Sequence, residues 1–174
     1  LLHITKFAAG VQVEGKFPIV MELDPIRRAG AGRPTRPIDF DGEPWCVLGV
    51  RVSLDGLEFA AATLGGRELW RDSTPANLRN TTADTGFAAL DRELRSQLDR
   101  LPAEKHLIAI EIGVPGYVAA DRATVSLSEN PEWCDFPLSA KVSATLNELG
   151  IQGVHVGITN ESQLAALHAV RSEL

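Results

Sequence analysis

Two short segments in the last third of the chain carry groups that could bind a polar small molecule. In the segment 113–116 (GVPG), a glycine at each end lets backbone N–H groups approach a ligand without an intervening Cβ atom. In the segment 128–133 (SENPEW), the Asn130 amide can donate and accept hydrogen bonds, and Trp133 can anchor the loop by burying its ring. Each segment also has a purely structural explanation: a turn that ends a strand, and an Asn-Pro turn beside a core tryptophan.

Residues 159–163 (TNESQ) have the preferences of a helix start. Asn160 is a good N-cap residue, and Gln163 stands where a capping box places Glu or Gln. Glu161 would add a negative charge near the positive end of the helix macrodipole. These preferences account for the segment without any ligand.

An arginine-rich segment lies nearer the start of the chain. Residues 24–37 (DPIRRAGAGRPTRP) contain four arginines and no apolar periodicity, which is typical of a linker or an ordered arm rather than a packed element. Its Gly-Arg-Pro sequence could lay Arg33 in a narrow minor groove, with neighbours such as Arg36 on phosphates. The alternative is a solvated linker between domains.

The apolar pattern predicts the elements that must position these segments. Four apolar residues alternate along a half-buried strand: Leu48, Val50, Val52 and Leu54. Asp55-Gly56 then favours a type I′ hairpin turn, in which both central residues have positive φ. A return strand over 57–64, a turn at Gly65-Gly66 and a third strand over 68–71 complete an antiparallel meander. Before it, short β-prone patches between Val11 and Val20 predict a small hairpin.

Helices and further strands follow the meander. Apolar residues three or four apart predict a helix over 85–100, ended by Pro102, and a second helix from Leu138 to Gly150. The apolar run 106–112 is typical of a central strand covered on both faces. Short strands at 124–127 and 154–158 and a last helix from Asn160 complete an order of βββαβ and then αβα. This α/β order is that of an actin-like (ribonuclease-H-like) lobe.

Composition and charge narrow the class of protein. The chain has 174 residues, 44% of them hydrophobic and 23% charged, as is ordinary for a folded domain. Its net charge of −6 excludes a surface that is basic throughout, but not a local basic patch. Cys46 and Cys134 lie far apart outside any Cys/His cluster, which predicts reduced thiols, a cytoplasmic location and no zinc site. No apolar run approaches the roughly 18 residues of a membrane span. The chain begins at leucine, which suggests a fragment.

Segments 111–138 and 154–167 together resemble the sugar-recognising lobe of the ROK family. This family comprises bacterial repressors, uncharacterised reading frames and sugar kinases built on an actin-like fold. In the family, backbone atoms of a G-x-P-G turn border the sugar, which implies this role for Pro115 and Gly116. The family motif of "PN", a short spacer and "W" implies a sugar contact for Asn130.

The helix start at 159–163 has a counterpart in the family as well. The ROK kinases have an asparagine there that binds sugar and an aspartate that takes the proton from the hydroxyl being phosphorylated. The resemblance places Asn160 on the asparagine and Glu161 on the aspartate. A glutamate keeps the carboxylate but moves it by one methylene, and displacements near an ångström can cost on the order of a hundredfold in rate.

The first hairpin departs from the kinase pattern. ROK kinases carry D-x-G-x-T there, where the aspartate helps to position Mg²⁺ and the small residues hold nucleotide phosphates. Here Arg51 takes the place of the aspartate, and Ser53-Leu54 replace the glycines. A cation cannot ligate Mg²⁺, and a leucine crowds the phosphate turn. We therefore expect no phosphoryl transfer and no nucleotide cofactor.

The family also gives a meaning to the arginine segment, because ROK repressors commonly have G-R-P between a winged-helix domain and the sugar lobe. We expect residues 1–40 to be the end of a winged-helix DNA-binding domain with its linker, and residues 41–174 to be the first actin-like lobe. The predicted protein is a transcription regulator, a repressor, that binds operator DNA as a homodimer through Arg33 and Arg36 and senses a sugar or sugar derivative. The alternatives are a ROK sugar kinase with a divergent nucleotide loop, and a binding module that has lost ligand control.

Overall fold

The computed structural model describes residues 20–22, 38–40 and 42–162. Two short strands, β1 (Val20–Glu22) and β2 (Ile38–Phe40), pair antiparallel, with Val20 opposite Phe40. The predicted hairpin before β1 lies outside the described residues. So do the arginine segment with Arg33 and Arg36 and most of the predicted winged-helix part.

The other strands form two sheets. They are β3 (Trp45–Val52), β4 (Gly56–Thr63), β5 (Glu68–Pro75), β6 (His106–Val114), β7 (Tyr117–Val118), β8 (Val125–Glu129), β9 (Glu132–Phe136) and β10 (His155–Asn160). The larger sheet has the order β10-β6-β3-β4-β5, in which β3, β4 and β5 are antiparallel and β6 and β10 run parallel to β3. The smaller sheet is β7-β8-β9. The predicted meander is confirmed. The predicted central strand is β6, which lies between β10 and β3, but it is not covered on both faces, since Glu111 and the first four residues of the strand are only partly buried.

Two helices, α1 (Ala83–Leu98) and α2 (Leu138–Glu148), pack on one face of the larger sheet. The apolar stripe of α1 follows the predicted spacing, with Leu90, Leu94 and Leu98 buried. Thr82 caps α1 by accepting a hydrogen bond from the Thr85 N–H at 3.3 Å. The helices α1 and α2, the two described at full length, are not long and apolar enough to cross a membrane.

The two helices are joined by a polar contact. Arg95 binds Asp91, four residues earlier on α1, at 2.9 Å, and the pair faces α2. Thr145 donates a hydrogen bond to Asp91, and Glu148 binds Arg95 at 2.6 Å. Burial raises the pKa of Asp91, but the hydrogen bonds from Arg95 and Thr145 outweigh it and leave that pKa below its usual value.

The hairpin between β3 and β4 differs from the predicted type I′ turn. Neither Asp55 nor Gly56 has a positive φ. The Ser53 N–H donates to the Gly56 carbonyl at 2.9 Å, which closes a turn around Leu54 and Asp55. A Cβ atom on Gly56 would lie 2.7 Å from the Thr74 carbonyl oxygen on β5. Glycine is therefore required by the closeness of β5 and not by a left-handed backbone.

Candidate functional site

The turn after β6 is pressed against the smaller sheet. Gly116 has a φ of 109°, and a Cβ atom there would lie 2.2 Å from the Leu127 carbonyl oxygen and 3.0 Å from the Ser128 Cα. Both the left-handed backbone and the lack of space require glycine. Pro115 precedes it at the C-terminal end of β6 and is partly buried. The atoms that crowd this glycine belong to β8, and the predicted approach to a ligand stays a prediction.

Asn160 ends β10, opposite Val114 of β6. Its Oδ1 accepts a hydrogen bond from the Ser162 N–H at 2.8 Å, so the predicted N-cap of the helix that begins at Glu161 is confirmed. Its Nδ2 donates to the Gly116 carbonyl. One amide side chain thus joins the turn after β6 to the start of the last helix.

Asn130 lies in the loop between β8 and β9. Its side-chain Oδ1 accepts a hydrogen bond from the Asn80 N–H at 2.7 Å, and its own N–H donates to the Ser128 hydroxyl at 3.4 Å. Ser128 lies close enough to Gly116 that a Cβ atom on the glycine would be 3.0 Å from the Ser128 Cα, so the turn lies between Asn130 and Asn160. We name the four residues Gly116, Ser128, Asn130 and Asn160 the amide cluster.

Trp133 anchors this loop as predicted. Its ring is fully buried and stacks on Phe136, with ring centroids 5.1 Å apart and planes 6° apart. Its indole N–H donates to the Ala83 carbonyl at 3.2 Å, so the buried polar atom is satisfied. The loop that carries Asn130 is therefore fixed to the first turn of α1.

Glu161 lies elsewhere, although it is the next residue after Asn160. It lines an open cleft of about 1080 Å³ over the face of the larger sheet opposite α1 and α2. The cleft is also lined by Arg51, Glu58, Arg71 and Glu111. The structure thus gathers Gly116, Asn130 and Asn160 into one network but places Glu161 with the charged residues of the sheet.

Arg51 points into this cleft beside a carboxylate. Its guanidinium binds Glu58 on the neighbouring strand at 2.5 Å, and about half of each side chain is exposed (50% and 46%). At the tip of the same hairpin, Asp55 binds Arg79 at 3.0 Å. Both carboxylates near the hairpin are therefore neutralised by arginines.

Sequence reasoning missed a second polar network, at the edge of the cleft. Arg122 has a φ of 53° and donates to Glu111 at 2.6 Å and to the Thr159 hydroxyl at 2.9 Å. The hydroxyl of Thr159 donates in turn to Glu111. The available signal was Glu111 itself, a charged residue inside the apolar run of β6. Its partners come from a loop and from β10, which no local pattern connects.

Comparisons of the sequence and of the structure with known proteins lead to the same family. The ROK family profile matches residues 47–169. A proposed xylose repressor from Caldicellulosiruptor sp. (strain Rt8B.4) is 25% identical over 124 residues, which cover 70% of this chain and 29% of that protein.

Two solved structures have the same actin-like fold. One is a ROK family transcriptional regulator, a homologue of the E. coli MLC protein, with a TM-score of 0.64 and 19% identity over 82% of this chain and 34% of that one. The other is a proposed sugar kinase from Cytophaga hutchinsonii, with a TM-score of 0.53 and 25% identity over 70% of this chain and 38% of that one. This chain therefore spans between 29% and 38% of the length of these proteins.

Proposed function

The chain belongs to the ROK family, and on that premise we propose that it is part of a transcription regulator, a repressor, that senses a sugar or sugar derivative without phosphorylating it. The observation that carries this proposal is the ion pair between Arg51 and Glu58, at the place where a ROK kinase needs an aspartate for Mg²⁺. The 25% identity to a protein named as a xylose repressor supports it.

The ion pair opposes metal binding for two electrostatic reasons. An arginine stays protonated at all accessible pH values, so Arg51 contributes a permanent positive charge that repels a divalent cation. The carboxylate nearest to it, Glu58, already binds that guanidinium at 2.5 Å. A nucleotide with its Mg²⁺ would have to break the pair and would gain no metal ligand from Arg51.

The sugar in this proposal binds at Pro115, Gly116, Asn130 and Asn160, and at Glu161, which follows Asn160 in sequence but lines the cleft. Asparagine amides suit sugar hydroxyls because each amide offers two N–H donors and an acceptor oxygen. The hydrogen bonds that hold Asn130 and Asn160 to backbone groups would pre-organise their amides, which lowers the entropic cost of binding.

DNA binding is assigned to residues 1–40 in this proposal, with Arg33 and Arg36 on the operator and residues 41–174 as the first actin-like lobe of a cytoplasmic homodimer. A sugar would control the operator affinity if it bound the DNA-competent and incompetent arrangements with different affinities.

In the full-length protein, Arg33→Ala should weaken operator binding and reduce its salt dependence. An unchanged affinity and salt slope would remove this assignment.

A sugar kinase is the second candidate, because the proposed sugar kinase from Cytophaga hutchinsonii is as similar in identity as the repressor, at 25%. Calorimetry of the full-length protein with xylose, glucose and N-acetylglucosamine, with and without Mg²⁺ and ATP, separates the candidates. We expect a sugar-binding signal that ATP leaves unchanged. Continuous heat of turnover with ATP would establish the kinase, and no sugar signal at all would favour a module without ligand control.

A further inference from the structure

Residues 80–86 hold the loop that carries Asn130, and we name them the clasp. Three contacts besides the one to Asn130 join the clasp to the loop. They are the Glu132 N–H to the Thr81 carbonyl at 3.0 Å, the Trp133 indole N–H to the Ala83 carbonyl at 3.2 Å, and the packing of Pro131 on Gly86. A Cβ atom on Gly86 would lie 2.4 Å from the Pro131 Cβ, so this packing admits glycine alone.

The fourth contact fixes a side chain rather than the backbone. Asn80 adopts a left-handed conformation, with a φ of 52°, and its N–H lies 2.7 Å from the Asn130 Oδ1, 50 positions along the chain. A backbone N–H can only donate, so the atom that it contacts must be the amide oxygen. The orientation of the Asn130 amide therefore follows from the backbone of Asn80, without the usual ambiguity between its O and N atoms.

This orientation leaves the Nδ2 donor as the group of the Asn130 side chain that has no partner. The oxygen of Asn130 accepts a hydrogen bond from Asn80, and among the residues that the structure describes no acceptor binds its Nδ2. The residue is partly exposed, and Nδ2 does not belong to the buried polar atoms that lack a partner, so this donor is accessible to a ligand.

We propose that Asn80 is a positioning residue that fixes Asn130 as a hydrogen-bond donor, so that the ligand must present an acceptor oxygen at this point. A carbonyl, a carboxylate or a ring oxygen meets this requirement, and none of these groups can donate a hydrogen bond in return. The inference rests on the proposed sugar site, because it specifies the chemistry of one side chain in that site.

The test uses the full-length protein and calorimetric Kd values for xylose, glucose and N-acetylglucosamine. Asn130→Asp keeps an oxygen for Asn80 but replaces the outward donor by an acceptor. We expect it to weaken the binding of the sugar that the unchanged protein binds by roughly tenfold or more, because two acceptors then face each other. Equal or tighter binding by Asn130→Asp would overturn the inference, since a donating hydroxyl prefers a carboxylate.

Two variants of Asn80 test its positioning role. Asn80→Gly keeps the N–H and favours the left-handed backbone, so sugar affinity should stay within about twofold. Asn80→Val has the same N–H but a β-branched side chain that disfavours this φ. Its sugar affinity should therefore fall, as it should in the variant Asn130→Ala, which lacks the amide. Equal affinity of the folded Val and Gly variants would overturn the positioning role, and if the Val variant fails to fold, Asn130→Asp still decides.

The outcomes also separate this inference from the proposed function. If the unchanged protein binds none of the sugars, both fail together. If it binds a sugar and Asn130→Asp binds it equally well, the proposed function stands and the inference alone fails.

Discussion

The β3–β4 hairpin and the amide cluster lie in the same lobe but satisfy their polar groups in opposite ways. In the hairpin, charged side chains neutralise one another: Arg51 binds Glu58 and Asp55 binds Arg79, all in exposed positions. In the amide cluster, neutral side chains bind backbone groups, which fixes them and leaves amide hydrogens for other partners. The contrast teaches that one lobe can hold a cluster of fixed neutral amides and, separately, a hairpin whose charged groups are already paired with one another.

The largest effect is expected at the anchor of the amide cluster. Trp133→Ala removes a fully buried ring and should lower the free energy of unfolding by about 3–5 kcal/mol. Urea denaturation of the full-length protein measures this loss. Phe at the same position keeps the stacking on Phe136 but loses the hydrogen bond to Ala83, and should cost less. If Trp133→Ala costs below about 1 kcal/mol, the loop does not depend on this anchor.

A smaller loss is expected at the turn, where a matched control exists. Gly116→Ala meets a left-handed backbone and an occupied space, 2.2 Å from the Leu127 oxygen, and should cost about 2–4 kcal/mol. Gly150 has a φ of 74° with no atom within 4 Å of a Cβ, so Gly150→Ala should cost only roughly 1–2 kcal/mol. Denaturation midpoints of the two variants give the difference. Equal losses of stability would show that glycine is needed at position 116 only for its left-handed backbone and not for lack of space.

The smallest effect is expected in the hairpin. Arg51→Ala and Glu58→Ala break a half-exposed ion pair, so each should change stability by no more than about 1 kcal/mol, and less in high salt. A double-mutant cycle at low and high salt measures the coupling between them. A coupling energy between the two residues above roughly 2 kcal/mol would mean that the ion pair serves to stabilise the fold. The presence of the pair would then be weak evidence against metal binding.

Much of the sheet could be predicted from the sequence, because burial imposes a local pattern. The alternation of Leu48, Val50 and Val52 predicts one covered face, and all three are buried. The turn at Gly56 was predicted wrongly because its cause, the carbonyl of Thr74 on β5, is a tertiary contact that the Asp-Gly dipeptide does not encode.

The arrangement of the candidate site residues could not be predicted from their order in the sequence. Asn160 and Glu161 are neighbours in sequence, yet one joins the amide cluster and the other lines the cleft, because a strand ends and a helix begins between them. Asn80 was missed because an exposed loop asparagine looks like any turn residue. Its importance comes from a backbone N–H that meets Asn130 across 50 positions.

The most direct test of the proposed function measures ADP release by the full-length protein, with Mg²⁺, ATP and a sugar at a concentration that calorimetry shows to be saturating. If the protein binds sugar while Arg51 and Glu58 form their ion pair, we expect bound sugar and ADP release no faster than in the sugar-free control. Sugar-dependent ADP release together with a phosphorylated sugar would contradict the account and make the protein a kinase.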